Sequence, residues 1–590
     1  MKRVLALMLA TVMVVCSLAS CSTLEAEDKG SIITLYFGDE IYDFDPTQSY
    51  TNEVVAQLTT LMFEGLTVLD SNGDWKKGMM DKYEILEDDD GNAKLQITLR
   101  ESKWSDGRTV QANDFVYAWK RLLEPSFQSD AACLLYDIKN ARDIKMGDKT
   151  VDDLKVSAVE TYVLEIEFEH EVDIDAFLRT CASPALVPLR EDKAGISDDW
   201  AKKSSSMVTN GPFDIRKIVY GSELRLERSS YYYRDTEKNQ ALDKYVIPYR
   251  LRVLFSNGDE AGQLEKFNLE EAVAESVYYI GDIALASRGE YADKAVVSDA
   301  LNTYSYYFNT NNDLFKNAKV RKALSMALDR AAIAETLVFA DAATGLVPSG
   351  ISDVKVKDDF RANGGELVSA SADVAGAKAL LKEAGVTKGS FSITCRNDEV
   401  DLAVAELAKK AWEELGFKVT IDKTGTKEVP SSNANESAVY NDLYTEAYKT
   451  GDFDVIAVDM QALANDAYAM LAPFATKYSG GGVDMASDTY DVIGHATGYA
   501  SEDYDKLIDE VYDAENAEAR SQKLHDAEAK LLEDMPVIPV AFLKNAYISN
   551  SKVVSGFKTT FWGTTDFKKV KMKDYMKYKE IIEAEEFTGV

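Results

Sequence analysis

Apolar positions along this chain follow two rhythms, one of period two and one near 3.6, and the chain switches between them from end to end. Residues 32–37 form a β-branched and aromatic run that predicts a strand. Pro46, after Asp43, Phe44 and Asp45, ends any pairing. Over 52–66, Val55, Leu58, Leu61 and Met62 recur at helical spacing, and Gly65 closes that helix. Segments 83–87 and 93–99 flank the turn residues Asp90, Gly91 and Asn92 and predict a hairpin. The aspartates at 88–90 lack the ligand spacing and terminal Glu of a calcium loop, so they read as a solvated turn. Trp104, Ser105, Asp106 and Gly107 mark a second turn. The helix predicted over 112–123 carries Phe115, Val116, Trp119, Leu122 and Leu123 on one face and stops at Pro125.

The alternation continues. Segments 162–168, 224–226 and 249–255 read as strands. A strand over 304–309 leads into a helix with Val320, Ala323, Leu324, Ala327 and Leu328 on its apolar face, and Arg321, Asp329 and Arg330 are expected to decorate the outside. Val404, Leu407, Ala408, Ala411, Trp412 and Leu415 make another amphipathic helix, capped by Gly416 and followed by a strand over 417–421. Strands and helices mixed in this order predict an α/β fold.

The amino terminus changes the picture. Lys2 and Arg3 precede an uncharged run over 4–19 that is too short for a membrane span and reads as an export signal. It ends in Leu18, Ala19, Ser20 and Cys21, a lipobox pattern, so Cys21 is expected to become the lipidated first residue of the mature chain. Cys16 follows Val14 and Val15, which are too bulky for a cleavage site. Residues 22–30 read as a tether. The rest is expected to lie outside the cytoplasm, on the outer face of the cytoplasmic membrane or in a periplasm, and to meet the membrane only through the lipid.

About 570 residues then remain, enough for two or three cores. A net charge of −34 argues against nucleic acid and anionic lipid, and reads as solubility or as attraction for cationic ligands. Cys133, Cys181 and Cys395 allow at most one bridge, with Cys133–Cys181 the candidate pair, and all three are expected to be free. His170, His495 and His525 are too scattered for a metal motif, and neither Gly-x-Ser-x-Gly nor His-Glu-x-x-His occurs. No catalysis and no cofactor are expected.

Six blocks then occur in a telling order: Leu61-Met62-Phe63-Glu64-Gly65-Leu66; Trp104-Ser105-Asp106-Gly107 with Asp114-Phe115-Val116-Tyr117-Ala118-Trp119; Asn210-Gly211-Pro212-Phe213; Tyr307-Phe308-Asn309 with Val320-Arg321-Lys322-Ala323-Leu324; Tyr504-Asp505-Lys506-Leu507-Ile508; and Ala527-Glu528 through Pro536-Val537-Ile538-Pro539. With these the chain resembles the family 5 extracellular solute-binding proteins, the oligopeptide-binding receptors of ABC importers. The blocks themselves read as scaffold.

The resemblance implies a two-lobed, type II periplasmic-binding-protein-like fold with the extra α/β domain of that class. In this sequence it implies a signal peptide over 1–20, a tether over 21–30, lobe I over 31–66, 189–301 and 543–590, the extra domain over 67–188, and lobe II over 302–542. The hinge is implied near Asn302 and Phe542. It further implies an oligopeptide held as an added strand, a permease and ATPase complex as partners, and a monomer.

In this family a carboxylate after the strand matching 453–458 binds the ligand's α-amino group. By simple alignment that position is Leu463, flanked by Asp459 and Asp466, of which Asp459 is the first choice. Met460 replaces the usual tryptophan, and Asn302 and Gln461 occupy positions where some members bridge the lobes with cysteines. The candidate ligand-binding residues are thus Asp459, Asp466, Met460, Gln461, Tyr304 and Asn302. An oligosaccharide or other solute is the alternative ligand, although tyrosine runs such as Tyr231, Tyr232 and Tyr233 read as packing. A secreted enzyme is the remote alternative.

Overall fold

The computed structural model describes residues 30–38, 40–47, 53–87, 93–233, 243–255, 259–267, 276–430, 438–476, 478–479, 495–577 and 579; Cys21, the signal peptide, most of the tether and the 88–92 turn lie outside them. One eleven-stranded sheet runs through the molecule. On one side of it Ile32–Tyr36, flanked by Arg250–Leu254 and Tyr279–Ile280, is extended by Glu223–Arg228 and Phe213–Val219. On the other, Val455–Gln461, Gly389–Cys395 and Phe417–Lys423 lie in that order outward.

Two strands join the halves. Val296–Phe308 and Val537–Ser549, thirteen residues each, pair with one another antiparallel. The first also pairs with Val455–Gln461 and the second with Tyr279–Ile280. Their register slips between Asp299 and Asn302, where Leu301 takes φ +51°, and again between Tyr304 and Ser305. Asn302 lies opposite Leu543, and Thr303 opposite Phe542. Unpaired residues of this kind, Ala300 and Leu301 at the first slip and Val540 at the second, bend a strand and strengthen its local twist.

A separate four-stranded antiparallel sheet consists of Met80–Glu87, Ala93–Leu99, Val163–Glu167 and Val156–Glu160, the last pair at its far edge. The first two strands pair as the hairpin that the sequence predicts. The helix Ala112–Leu123 has its predicted bounds and buries Phe115, Val116, Trp119, Leu122 and Leu123.

Most residues of the six sequence blocks hold the scaffold together. The Trp104 indole donates to Asp114 at 2.9 Å, and the same carboxylate oxygen accepts from the Gln111 backbone, so the turn is fastened to the first turn of its helix. Gly107, at φ +87°, closes that turn in a conformation glycine adopts without strain. The Asn210 side chain bonds both the Glu64 amide and its carbonyl, while the Glu64 carboxylate takes Arg100 at 2.7 Å and the hydroxyls of Tyr232 and Tyr233. Arg100 lies 3.7 Å from the centre of the Tyr233 ring, so these tyrosines pack against the scaffold.

Two expectations need correction. The predicted single helix after 309 is two, Ala318–Met326 and Arg330–Leu337, because the Asp329 side chain accepts from Ala332 and starts a new helix. Arg321 and Arg330 do not decorate an outer face but are 5 % and 1 % exposed. Arg321 donates to the carbonyls of Phe315, Asp534 and Met535, and Arg330 to those of Pro539, Ser325 and Ser369. Each ties its helix to the backbone oxygens of neighbouring segments.

Cys133, Cys181 and Cys395 are free and buried, with no bridge between Cys133 and Cys181. Burial pushes all three thiols up from their ordinary range, so little nucleophilic thiolate forms. The expected result of thiol titration without reductant is negligible reaction in the native protein and three reactive equivalents after unfolding. Two missing equivalents would reveal a disulfide. Among the described residues no helix is long and apolar enough to cross a membrane.

Candidate functional site

Parallel strands place their carboxyl ends, and the loops that follow, on one side of a sheet, and crevices for ligands form there. Ile32–Tyr36 runs parallel to Arg250–Leu254 and Tyr279–Ile280, so its half delivers Phe37, Gly281 and Asp282 to one edge. Gly389–Cys395 runs parallel to Phe417–Lys423 and Val455–Gln461, so the other half delivers Arg396, Asp398 and Asp459. These groups line opposite walls of one cleft. Its floor is the crossing pair of strands, through Tyr304 and Leu543 to Tyr547.

Two smaller chambers adjoin it. One shares Arg396 with the cleft and is lined by Tyr42, Asp43, Lys202, Tyr440 and Asp442. The other, nearly apolar, lies among Ala56, Pro184, Leu463 and Trp562.

The halves touch across this space. Glu399, at the start of the helix Glu399–Glu414, accepts from the Leu285 amide at 2.6 Å, and Lys202 donates to the Asn441 side chain at 3.0 Å. Tyr440 packs against Tyr42 and Tyr220, with ring centres 6.1 and 5.1 Å away. The cleft is therefore described with its walls drawn together.

The electrostatics are dominated by acids. Arg396 lies 4.0 Å from the centre of the Tyr444 ring and shares its charge among Asp398, Asp401, Asp442 and Asp459. Asp398 caps the helix by accepting from the Asp401 amide at 2.8 Å, and Asp401 accepts from the Arg396 amide at 2.8 Å. Burial, and then the Asp398 charge, push the Asp401 carboxyl up to about 8. Burial also raises Asp459, against the opposing pull of Arg396. On the facing wall Asp282 takes Arg288 at 3.2 Å. Its side chain is a third exposed, toward the cleft, but the protein around it pushes its carboxyl up to about 6.

Of the residues predicted from sequence, the cleft brings together Asp459 and Tyr304, which are cross-strand partners. One Asp459 oxygen, closed off from solvent, faces Asn302 without completing a hydrogen bond, and the hydroxyl of Tyr304, a residue 1 % exposed, stands beside Asp401 in the same condition. Asn302 is fully buried and neither atom of its amide is paired. Met460 turns to the other face, where its sulfur accepts from the Tyr307 hydroxyl. The Gln461 amide donates to the Ala300 carbonyl at 2.9 Å and lines the small apolar chamber with Leu463. Asp466 is held bidentately by Arg520 at 2.8 and 3.1 Å and lies outside the three cavities.

Sequence reasoning missed Arg396, Asp398, Asp401 and Asp282. A local signal existed for three of them: the apolar run ending at Cys395 is followed by Asp398, a helix-capping residue type, which marks a strand-to-helix junction of the kind that builds such sites. Among the described residues no three His, Cys, Asp or Glu side chains are grouped to hold a metal ion.

The profile of the bacterial extracellular solute-binding proteins, family 5 (middle), matches residues 75–482. The dipeptide-binding protein DppE of Bacillus subtilis is 27 % identical over 525 residues, which cover 87 % of each chain. The probable deoxycholate-binding periplasmic protein YgiS of Escherichia coli is 27 % identical over 519 residues, covering 84 % of this chain and 85 % of YgiS. Among solved structures, OppA of Listeria monocytogenes bound to peptide superposes with a TM-score of 0.75 at 22 % identity, over 92 % of this chain and 99 % of that one. The shared fold is the two-lobed type II architecture.

Proposed function

Because this chain belongs to the bacterial extracellular solute-binding proteins of family 5, we propose that it captures short peptides between its lobes and delivers them to the permease and ATPase of an ABC importer. The observation that carries this reading is the cleft itself. Both halves line it, and the part-exposed Asp459 carboxylate stands in it, its inner oxygen turned to Asn302. A half-buried carboxylate is costly to keep charged, and a peptide's α-ammonium group offsets that cost with a charge-assisted bond. The polar adjoining chamber, lined by Asp43, Lys202 and Asp442, suits bridging water and so different side chains.

The ligand contacts both lobes only when they are close, so its binding energy favours closure, and an importer can tell the loaded receptor from the empty one. We assign lobe I to 31–66, 189–301 and 543–590, lobe II to 302–542, and the extra domain to 67–188, with the hinge at the register slip beside Asn302. The receptor acts as a monomer outside the cytoplasm and catalyses nothing.

A deoxycholate-like ligand fits less well, because it would bring a carboxylate into a cleft already rich in acids with no ammonium group to offset it. An oligosaccharide would need free aromatic faces, whereas Tyr279 is stacked on Tyr547 at 4.9 Å. Mass spectrometry of the ligand that copurifies with the protein tests the reading. Peptides are the expected finding, and a saccharide or a steroid in their place would refute it.

The reading also places the chain on a membrane through a diacylglycerol thioether on Cys21. Stable anchoring takes two acyl chains or an equivalent second signal. Cys21→Ser is therefore expected to leave the membrane fraction, as an uncleaved or wrongly cleaved precursor. Unchanged fractionation would rule the anchor out.

A further inference from the structure

Closing the cleft brings acids of one lobe against acids of the other. Asp282 and Glu260 come from lobe I, and Asp398, Glu399, Asp401 and Asp459 from lobe II. Among the described residues that line the cleft, only Arg288, Arg396 and Lys544 oppose them. Lys544 is drawn outward to Asp341 at 2.7 Å, and Glu399 is occupied by the Leu285 amide. Arg288 takes one oxygen of Asp282, and Arg396 serves four carboxylates at once. Asp282 feels Asp398 and Glu399 directly across the gap, an interaction that disfavours its ionised form. Beside this cluster the buried Tyr304 hydroxyl has no completed hydrogen bond.

An acidic cluster spread over two closing walls is a place for a cation. Building on the peptide reading above, we infer that the receptor is selective for peptides bearing a basic side chain, whose cation sits between Asp282 of one lobe and Asp398 and Asp401 of the other. A lysine or arginine there neutralises the repulsion that closure creates, so it favours the closed form as well as the contact. The Tyr304 hydroxyl, buried beside Asp401, then donates to that carboxylate as it ionises. A norleucine of nearly equal shape gains none of this, and a glutamate adds to the repulsion.

The sign of the pH dependence follows. In the unliganded cleft Asp401 and Asp282 are pushed up to about 8 and about 6. A cation placed between them lowers both values, so binding expels protons. Affinity for a basic peptide therefore rises from pH 5 to pH 8, while affinity for its neutral analogue changes less.

Calorimetry with Ala-Lys-Ala, Ala-norleucine-Ala and Ala-Glu-Ala at pH 5, 6.5 and 8 tests this, on wild type and on a variant combining Asp282→Asn with Asp401→Asn. For the wild type at pH 8, the lysine peptide is expected to bind at least about tenfold more tightly than the norleucine one. Proton release should accompany it, and the glutamate peptide should bind weakest. In the variant, the lysine preference should fall to within about twofold while norleucine binding persists, which also shows that the variant is folded. Equal affinities in the wild type, or a preference that survives the variant, would overturn the inference and leave peptide capture standing. Binding of none of the three by the wild type would remove the peptide reading and the inference together.

Discussion

Asp459→Asn should cost this receptor about 2–5 kcal/mol of affinity for a peptide with a free amino terminus, the range seen when one partner of a buried charge pair is lost. In dissociation constants that is roughly thirtyfold to several thousandfold. The same change should matter little for the amino-acetylated peptide, which has no ammonium group to lose. Acidification acts in the same direction as the mutation. Burial raises the Asp459 carboxyl above its ordinary value, so its charge, and the bond to the ligand, disappear earlier as pH falls than they would for an exposed aspartate. Asp466→Asn is the control. It breaks the bidentate pair with Arg520 and should affect both peptides equally. If Asp459→Asn lowers the melting temperature without separating free from acetylated peptide, then Asp459 only finishes its strand and the anchor lies elsewhere.

Glu528→Ala should be among the most destabilising single changes in lobe II, by about 3–5 kcal/mol, because it strands a buried charge. The Glu528 side chain is fully buried, and one of its oxygens accepts from Arg361 at 2.6 Å and from the amides of Leu346 and Val347 at 2.8 and 2.9 Å. The Thr303 hydroxyl donates to the Leu346 carbonyl at 2.7 Å, so the pair also steadies the crossing strand beside the register slip. The space is tight: a methyl group at Gly345 would lie 1.7 Å from an Arg361 nitrogen. Urea unfolding followed by circular dichroism should show the loss. Replacing both partners with apolar residues, as in Arg361→Met with Glu528→Leu, should recover most of the charge-related part of it. Little loss in the single variant would mean that solvent reaches Arg361.

The helix Ala112–Leu123 was legible because its whole specification is local: apolar residues at one face, a tether from Asp114 at its start, and Pro125 beyond its end. Only the second half of Val296–Phe308 could be read. Its first half carries Val296 and Val297 exposed beside Ser298 and Asp299, and is a strand because Val537–Ser549 pairs with it. Arg321 and Arg330 were misplaced for a related reason. Several of their acceptors are backbone carbonyls about two hundred positions away in sequence, and carbonyls leave no mark on a sequence. In the site, Asp459 could be found as an acid at the end of an apolar strand. Asp466, beyond the strand, was the second choice, and what occupies it is Arg520 from a distant helix, a partner the local sequence does not announce. The acid cluster was invisible because Asp282 and Asp398 meet only when two separately built walls face one another.

The two crossing strands lie side by side and are hydrogen-bonded to each other on both sides of the register slip. Two separate connecting loops would let the lobes roll, slide and twist independently. A paired ribbon resists shear and leaves bending across its width as the soft movement. Opening and closing is thereby reduced to a single mechanical coordinate. One spectroscopic distance between the lobes would then report the entire excursion, and a stiffer ribbon would change its amplitude while leaving its direction unaltered.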